Sequence, residues 1–260
     1  QRWKRCVGEI SPRVRISHLP PNFMKKFMLI PGNPNVASYY ESWIKEIEDQ
    51  NKNINITYAS SYVLFDKKLN YLEYDLAMRD HYEKIFIELS REEKVTIIAH
   101  SVGSYFALRL LEKYPEKIEK VIIMFPYIGY STIKSLRIIG ILYLMDRILP
   151  IAEMLSKYKN FFLIWDKDTK NISTLGLNAC LRFGVRQCVY FNKYKFDTKS
   201  IFLYKDKLDF IYADDDRWCP AETIELLKPI SNHKKVGLPH GFILTKEDRT
   251  EMTKILGINL

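Results

Sequence analysis

The stretch that most constrains this chain is residues 95–113, where an apolar run passes into a helical pattern through a serine-containing turn. Residues 95–98 are apolar or β-branched, which is typical of a buried strand. Beyond the turn, apolar residues recur with helical spacing at Tyr105, Phe106, Leu108 and Leu111. The sequence therefore predicts a strand that enters a helix through a sharp turn carrying Ser101.

That turn has the form of the nucleophile elbow found in α/β-hydrolases. In such an elbow the serine hydroxyl stands clear of the sheet and the next backbone N–H faces the developing oxyanion. Ser101 is therefore the candidate nucleophile, and the N–H of Val102 is a candidate oxyanion-hole donor. The usual pattern is G-x-S-x-G, whereas residues 99–103 read AHSVG, which adds one methyl group at a crowded flank. The alternative is a serine that only caps the following helix.

The composition fits one globular domain. A chain of 260 residues with 47% hydrophobic content can bury a full core. Its formal net charge of +9 is spread along the chain, which favours a solvated lysine-rich surface, then attraction to anionic lipid. Nucleic acid ranks last because no binding module is recognisable.

The four cysteines lack metal-site spacing and suit reduced thiols in a cytosolic compartment. The chain begins with Gln1, and no apolar run of signal-peptide type follows.

Strand and helix patterns alternate, which predicts a mostly parallel, doubly wound α/β sheet flanked by helices. Besides the strand before Ser101, the predicted strands are 13–17, 27–30, 54–58, 120–125 and 208–212, and the main helices are 39–47, 72–87 and 221–228. The apolar face of the helix at 72–87 is expected to lie on or near Leu72, Leu76, Ile85 and Leu89. Ligands in such sheets bind at the carboxyl ends of the strands.

The loop at residues 31–35 follows the strand at 27–30 and reads PGNPN, which cannot continue a strand. In an α/β-hydrolase this loop supplies the second oxyanion-hole N–H. By position that donor is the backbone of Asn33, and Gly32 allows the chain to approach the substrate closely. The alternative is an ordinary turn.

Two further loops offer an acid and a base. Asp216 follows the strand at 208–212 and precedes Pro220 by four residues, a spacing often seen for the triad acid; Asp214 and Asp215 compete for the role. A divalent-metal site built on these three carboxylates lacks matching ligands elsewhere. His240 lies in a loop bounded by glycine and proline, free to turn toward a site, whereas His100 is expected to point away from the cleft. The order serine, aspartate, histidine is that of α/β-hydrolases.

Residues 131–200 break the alternation and are predicted to form a helical lid. The apolar run at 138–145 is too short to cross a bilayer, which takes about 18 to 20 residues. We expect these helices to lie over the site, with Ile138 and Leu142 as candidates for lining an apolar substrate pocket. Equally, they could simply pack on the core.

Several stretches together resemble one family, the lipid droplet-associated hydrolases. The matching segments are residues 29–34 with Tyr40 beyond them, 81–84 with Phe86 and Ile87, 99–106, 125–126, 216–220 and 239–242. The matches run from about residue 27 to 245, and residues 1–260 are expected to form a single α/β-hydrolase domain. The resemblance implies a serine hydrolase with Ser101, Asp216 and His240 as its triad, and a neutral-lipid substrate such as a sterol ester. It also implies association with lipid droplets and the cytosolic face of the endoplasmic reticulum.

The chain departs from the family pattern at Ala99, at Asn35 and over residues 131–138, so the lid is the least transferable part. Two other functions stay open: a droplet- or membrane-surface binding protein with little turnover, and a thioesterase or peptidase with the same triad. No cofactor, metal, nucleic acid or obligate protein partner is expected, and contact with a lipid surface is expected to be peripheral.

Overall fold

The computed structural model describes residues 24–32, 37–59, 71–129, 196–216, 218–219 and 221–257. The predicted strand at 13–17, the candidate donor Asn33 and the pocket candidates Ile138 and Leu142 lie outside these ranges. The predicted lid also lies outside them, except for its last five residues.

Within the described ranges, six strands form one parallel sheet. They are β1 (Lys25–Ile30), β2 (Ile54–Tyr58), β3 (Val95–His100), β4 (Ile118–Met124), β5 (Leu208–Tyr212) and β6 (Asn232–Lys235). Their order across the sheet is β2-β1-β3-β4-β5-β6, and every neighbouring pair is parallel. The prediction of a doubly wound α/β sheet is confirmed.

Helices connect these strands. The α-helices of the described ranges are α1 (Ala37–Gln50), α2 (Tyr71–Leu89), α3 (Gly103–Lys113), α4 (Ala221–Leu227) and α5 (Lys246–Leu256). Short 3₁₀ segments occur at Pro115–Lys117, Thr198–Lys207, Lys228–Ile230 and Phe242–Leu244. Thr245 caps α5, and its hydroxyl accepts a hydrogen bond from the Asp248 N–H at 3.2 Å. No helix of these ranges is both long and apolar enough to cross a membrane.

The four central strands, β1, β3, β4 and β5, are largely buried on both faces, as expected for parallel strands between layers of helices, whereas the edge strand β6 is exposed. Successive strand residues alternate between two apolar clusters. Met28 and Ile97 belong to the cluster under α2 and α3, whereas Leu29 and Ile98 belong to the cluster under α1 and α5. Strand β3, at the centre of the sheet, is therefore buried at every position, because each of its faces meets a hydrophobic layer.

The buried face of α2 differs from the predicted one. Met78, Tyr82 and Phe86 are fully buried at a spacing of four residues, whereas Leu76 is 55% exposed. Ile85 and Leu89 pack at the margin of the core. The helix carries apolar residues on several sides, so helical periodicity alone did not identify the face that meets the sheet.

The strand order reverses direction between β1 and β3, since the chain runs outward from β1 to β2 and then returns to β3. A crevice forms outside the carboxyl ends of the two strands that flank such a switch point. Gly32 follows β1 and Ser101 follows β3, so both residues lie at this crevice.

Candidate active site

Ser101 occupies a sharp turn with left-handed backbone geometry. Its φ is 52°, a region that non-glycine residues rarely adopt and that costs about 1–3 kcal/mol. The turn is held by neighbouring backbone groups: the Ser101 N–H donates to the Met124 carbonyl at 2.9 Å, and the Ser101 carbonyl accepts from the Tyr127 N–H at 3.1 Å. The elbow geometry predicted from the sequence is therefore present.

Two flanking positions explain which residues the elbow tolerates. A Cβ on Gly103 would lie 2.6 Å from the Ile30 carbonyl oxygen, so glycine is needed there. Ala99, in contrast, is fully buried within β3, where its methyl group packs in the core. The departure from glycine at residue 99 is thus accommodated without loss of the turn.

The structure brings Ser101, His240 and Asp216 together from three distant parts of the chain. Nε2 of His240 lies 3.0 Å from Oγ of Ser101, and Nδ1 of His240 lies 2.8 Å from Oδ2 of Asp216. A carboxylate only accepts, so Nδ1 carries the proton and Nε2 is free to accept from the serine hydroxyl. This is the hydrogen-bonded arrangement that serine nucleophile chemistry requires.

Of the three adjacent carboxylates, only that of Asp216 reaches His240 in the described ranges. Its side chain is fully buried, whereas Asp214 and Asp215 are exposed and Asp214 pairs with Lys235. The Trp218 N–H donates to the second oxygen of Asp216 at 2.8 Å, which fixes the carboxylate. This loop geometry separates the three competing aspartates, which the sequence alone could not do.

The charge state of Asp216 suits this arrangement. Burial would raise the pKa of its carboxyl, but the charge and hydrogen bond of His240 and the N–H groups of Trp218 and Cys219 outweigh burial. The net result is a lowered pKa, so the carboxylate stays ionised. An ionised acid can orient His240 and stabilise the imidazolium that would form during proton transfer.

The described part of the candidate oxyanion region consists of Val102 and Gly32. Val102 immediately precedes α3, where the first N–H groups of a helix have no partner within it. A Cβ on Gly32 would lie 2.7 Å from the Cβ of Ser101, so the loop after β1 packs directly on the elbow. The structure shows a close approach of Gly32 to the elbow, whereas its expected approach to the substrate stays a prediction. Asn33 stays a prediction.

His100 lies closer to the candidate active site than the sequence indicated. It does not contact the Ser101 hydroxyl, which agrees with its exclusion as the base, but it is not remote from the site. The residue is 2% exposed, and the centroid of its ring lies 5.1 Å from that of the His240 ring. Burial, reinforced by the nearby charge of His240, lowers the pKa of His100 to about 3.

Sequence reasoning also missed Phe125. Its φ is 49° and its side chain is fully buried at the end of β4. Its ring centroid lies 5.7 Å from that of His240, so it forms one wall around the imidazole. In the sequence, residue 125 closed a predicted strand before Pro126 and belonged to a segment that matches the family, and neither signal reveals a left-handed backbone.

Within the described ranges, no group of three or more histidine, cysteine or acidic side chains is arranged to hold a metal ion. Cys219 adjoins the site but is buried, and burial raises the pKa of its thiol well above the usual value. Its thiol is therefore held in the protonated form.

Known proteins share both the sequence pattern and the fold. The model of the family described as "Lipid-droplet associated hydrolase" matches residues 24–243. A relative from Rattus norvegicus named lipid droplet-associated hydrolase is 26% identical, over 83% of this chain and 79% of the relative. One of the same name from Dictyostelium discoideum is 25% identical over 42% of this chain, and that match spans 40% of the relative's length.

Among solved structures, an alpha/beta hydrolase enzyme from a Medee basin deep-sea metagenome library has a TM-score of 0.60 at 15% identity. The superposition covers 93% of this chain and 91% of that one. The protein therefore has the α/β-hydrolase fold, and because the family match covers most of its length, the chain belongs to the lipid-droplet associated hydrolase family.

Proposed function

We propose that this protein is a serine hydrolase that cleaves carboxylic esters of lipids through an acyl-enzyme. The observation that carries the proposal is the continuous hydrogen-bond path from Ser101 Oγ through the His240 ring to Asp216, with contacts of 3.0 and 2.8 Å. The family to which the chain belongs supports a hydrolase, and its description supports a lipid-related substrate.

In the first half-reaction, Ser101 Oγ attacks the ester carbonyl carbon while its proton passes to Nε2 of His240. The N–H of Val102, joined by that of Asn33, stabilises the negative charge on the carbonyl oxygen. The intermediate collapses with cleavage of the bond to the alcohol oxygen, and His240 returns the proton to the departing alkoxide. Asp216 orients the ring throughout.

In the second half-reaction, water replaces the alcohol. His240 takes a proton from the water as it attacks the acyl carbon, and then protonates Ser101 as the carboxylic acid departs. The proton transfers between Ser101 Oγ and Nε2 of His240 follow the 3.0 Å contact between these two atoms. The chemistry uses no cofactor.

The substrate proposed is a neutral lipid such as a sterol ester, met at a lipid droplet or at the cytosolic face of the endoplasmic reticulum by peripheral contact. The names of the relatives support the droplet location. The helical lid at residues 131–200, with Ile138 and Leu142, is the proposed acyl or sterol pocket. No nucleic-acid or obligate protein partner is part of this proposal.

The test is labelling with a fluorophosphonate probe, which reacts only with an activated serine. We expect native protein to be labelled and the Ser101→Ala variant to remain unlabelled. Folded protein that resists the probe would favour the second function, a lipid-surface binding protein with little turnover. A screen of sterol esters, acylglycerols and acyl-CoA then separates lipid esterase from thioesterase activity.

A further inference from the structure

A buried chain of hydrogen bonds runs beneath the candidate active site. The Gly32 N–H donates to the hydroxyl of Tyr40 at 2.9 Å, and that hydroxyl lies 2.7 Å from Nδ1 of His100. On the other side of the ring, Nε2 of His100 lies 3.0 Å from the backbone carbonyl oxygen of His240. These contacts link the loop after β1, helix α1, the elbow and the loop of the candidate base.

The direction of every hydrogen bond in this path follows from which atoms can donate and which can only accept. A carbonyl oxygen can only accept, so the hydrogen of the His100 ring must be on Nε2. In the neutral ring Nδ1 is then an acceptor, and the hydroxyl of Tyr40 must donate to it. That leaves the oxygen of Tyr40 to accept from the Gly32 N–H, so no group in the path lacks a matching partner.

This path requires His100 to be uncharged, and its surroundings keep it so. Tyr40 and His100 are 1% and 2% exposed, and aromatic rings of Phe125 and Phe242 contact the imidazole. A second positive charge at His100 would also oppose the imidazolium forming on His240, whose ring centroid is 5.1 Å away. His100 thus supplies a hydrogen-bond donor to the site without adding a positive charge beside His240.

We propose that His100 is a positioning residue that anchors the backbone of His240, and that Tyr40 sets the orientation of the His100 ring. The inference rests on the proposed function, since it concerns the placement of the catalytic base. The anchored carbonyl belongs to the same residue whose ring must meet Ser101 Oγ at 3.0 Å. A displacement of about 1 Å at such a contact can cost about 100-fold in rate.

Two amide substitutions separate the hydrogen bond at Nε2 of His100 from the hydrogen bond at Nδ1. A glutamine amide extends about as far as Nε2, so His100→Gln can retain the donor to the His240 carbonyl, whereas His100→Asn reaches only the Nδ1 position and loses it. The measurement is the second-order rate of fluorophosphonate labelling in folded proteins. We expect about a 10-fold or greater loss in His100→Asn and less than about 3-fold in His100→Gln. Equal losses, or an undiminished rate in the asparagine variant, would overturn the inference.

Tyr40→Phe provides a test that keeps the buried ring. Loss of the hydroxyl frees the orientation of the His100 ring, and we expect labelling to slow by about 3- to 10-fold. The matched control is Tyr58→Phe, because the Tyr58 ring stacks on that of Tyr40 at 5.6 Å but lies outside the hydrogen-bond path. It should react at the wild-type rate. Wild-type reactivity in Tyr40→Phe would contradict the proposed role even if His100→Asn fails to fold.

A readout independent of turnover separates this inference from the proposed function. The proton on Nδ1 of His240, shared with Asp216, should give a low-field proton NMR resonance. That resonance should move in His100→Asn and stay in place in His100→Gln. If the wild-type protein resists the probe, the proposed function fails, and the NMR comparison alone decides the positioning role. Identical spectra for both variants and wild type would reject it.

Discussion

The buried neutral state of His100 predicts a specific dependence of stability on pH. In the unfolded chain a histidine has a pKa of about 6.5, whereas burial lowers the pKa of His100 in the folded protein to about 3. Between these two values the unfolded state binds a proton that the folded state does not. The contribution of His100 to stability is therefore complete above about pH 6.5 and is lost progressively as the pH falls toward 3.

The size of this effect follows from proton linkage. Each pH unit within the window changes the free energy of unfolding by about 1.4 kcal/mol for one group. Lowering the pH from 7 to 5 crosses about 1.5 units of the window and should cost about 2 kcal/mol through His100 alone. His240 and Asp216 also face this ring, and both remain in a variant at residue 100.

Urea unfolding at pH 7 and at pH 5 measures the effect, with wild type compared to His100→Gln. The wild-type protein should lose about 2 kcal/mol more than the variant over this interval, because glutamine does not titrate. His233→Gln is the control for replacing a histidine with glutamine, since His233 is exposed on β6. Parallel pH dependence in wild type and His100→Gln would refute the assignment of His100 as buried and neutral.

Three further predictions concern the turns and loops around the site. Asp216→Asn should lower kcat for ester hydrolysis by about 10⁴-fold, as expected when the histidine tautomer is lost, whereas Asp214→Asn at the exposed neighbour should change it little. Gly32→Ala should lower the free energy of unfolding in urea by about 1–3 kcal/mol because its Cβ would meet the elbow at 2.7 Å. Gly237→Ala is its control, because a Cβ on Gly237 would have no other atom within 4 Å, and it should change the free energy of unfolding by less than about 0.5 kcal/mol. Thr245→Ala should cost about 1 kcal/mol in the same assay through loss of the cap on α5.

The sequence predicted well the features that depend on local patterns. The run at residues 95–98 and the helical spacing beyond Ser101 place β3, the turn and α3 correctly, because hydrophobic periodicity is a short-range signal. Chain order also identified which serine and which histidine meet, since parallel strands deliver their carboxyl ends to one edge of the sheet. These predictions needed no knowledge of long-range packing.

Where several residues could satisfy one local pattern, the sequence could not choose among them. The apolar residues of α2 permitted more than one buried face, and the wide aromatic side chains Tyr82 and Phe86, together with Met78, fill the space against the sheet. Leu76 has comparable hydrophobicity but remains exposed. Only the packing of α2 against its neighbours decides between these faces, because the pattern records periodicity and not the position of the core.

His100, the neighbour of Ser101, shows the same limit of sequence-based prediction, because its hydrogen-bond partners lie far away in the chain. Because β3 side chains alternate between faces, a sequence argument correctly keeps His100 away from the Ser101 hydroxyl. It cannot show that the opposite side of the ring meets a tyrosine 60 residues earlier and a carbonyl 140 residues later. Burying a histidine costs free energy unless both of its ring nitrogens form hydrogen bonds, because a buried nitrogen without a partner has lost its contact with water. Residue 100 therefore couples the formation of the elbow to the placement of the loop that carries His240, a dependence that arises only when the whole sheet is assembled.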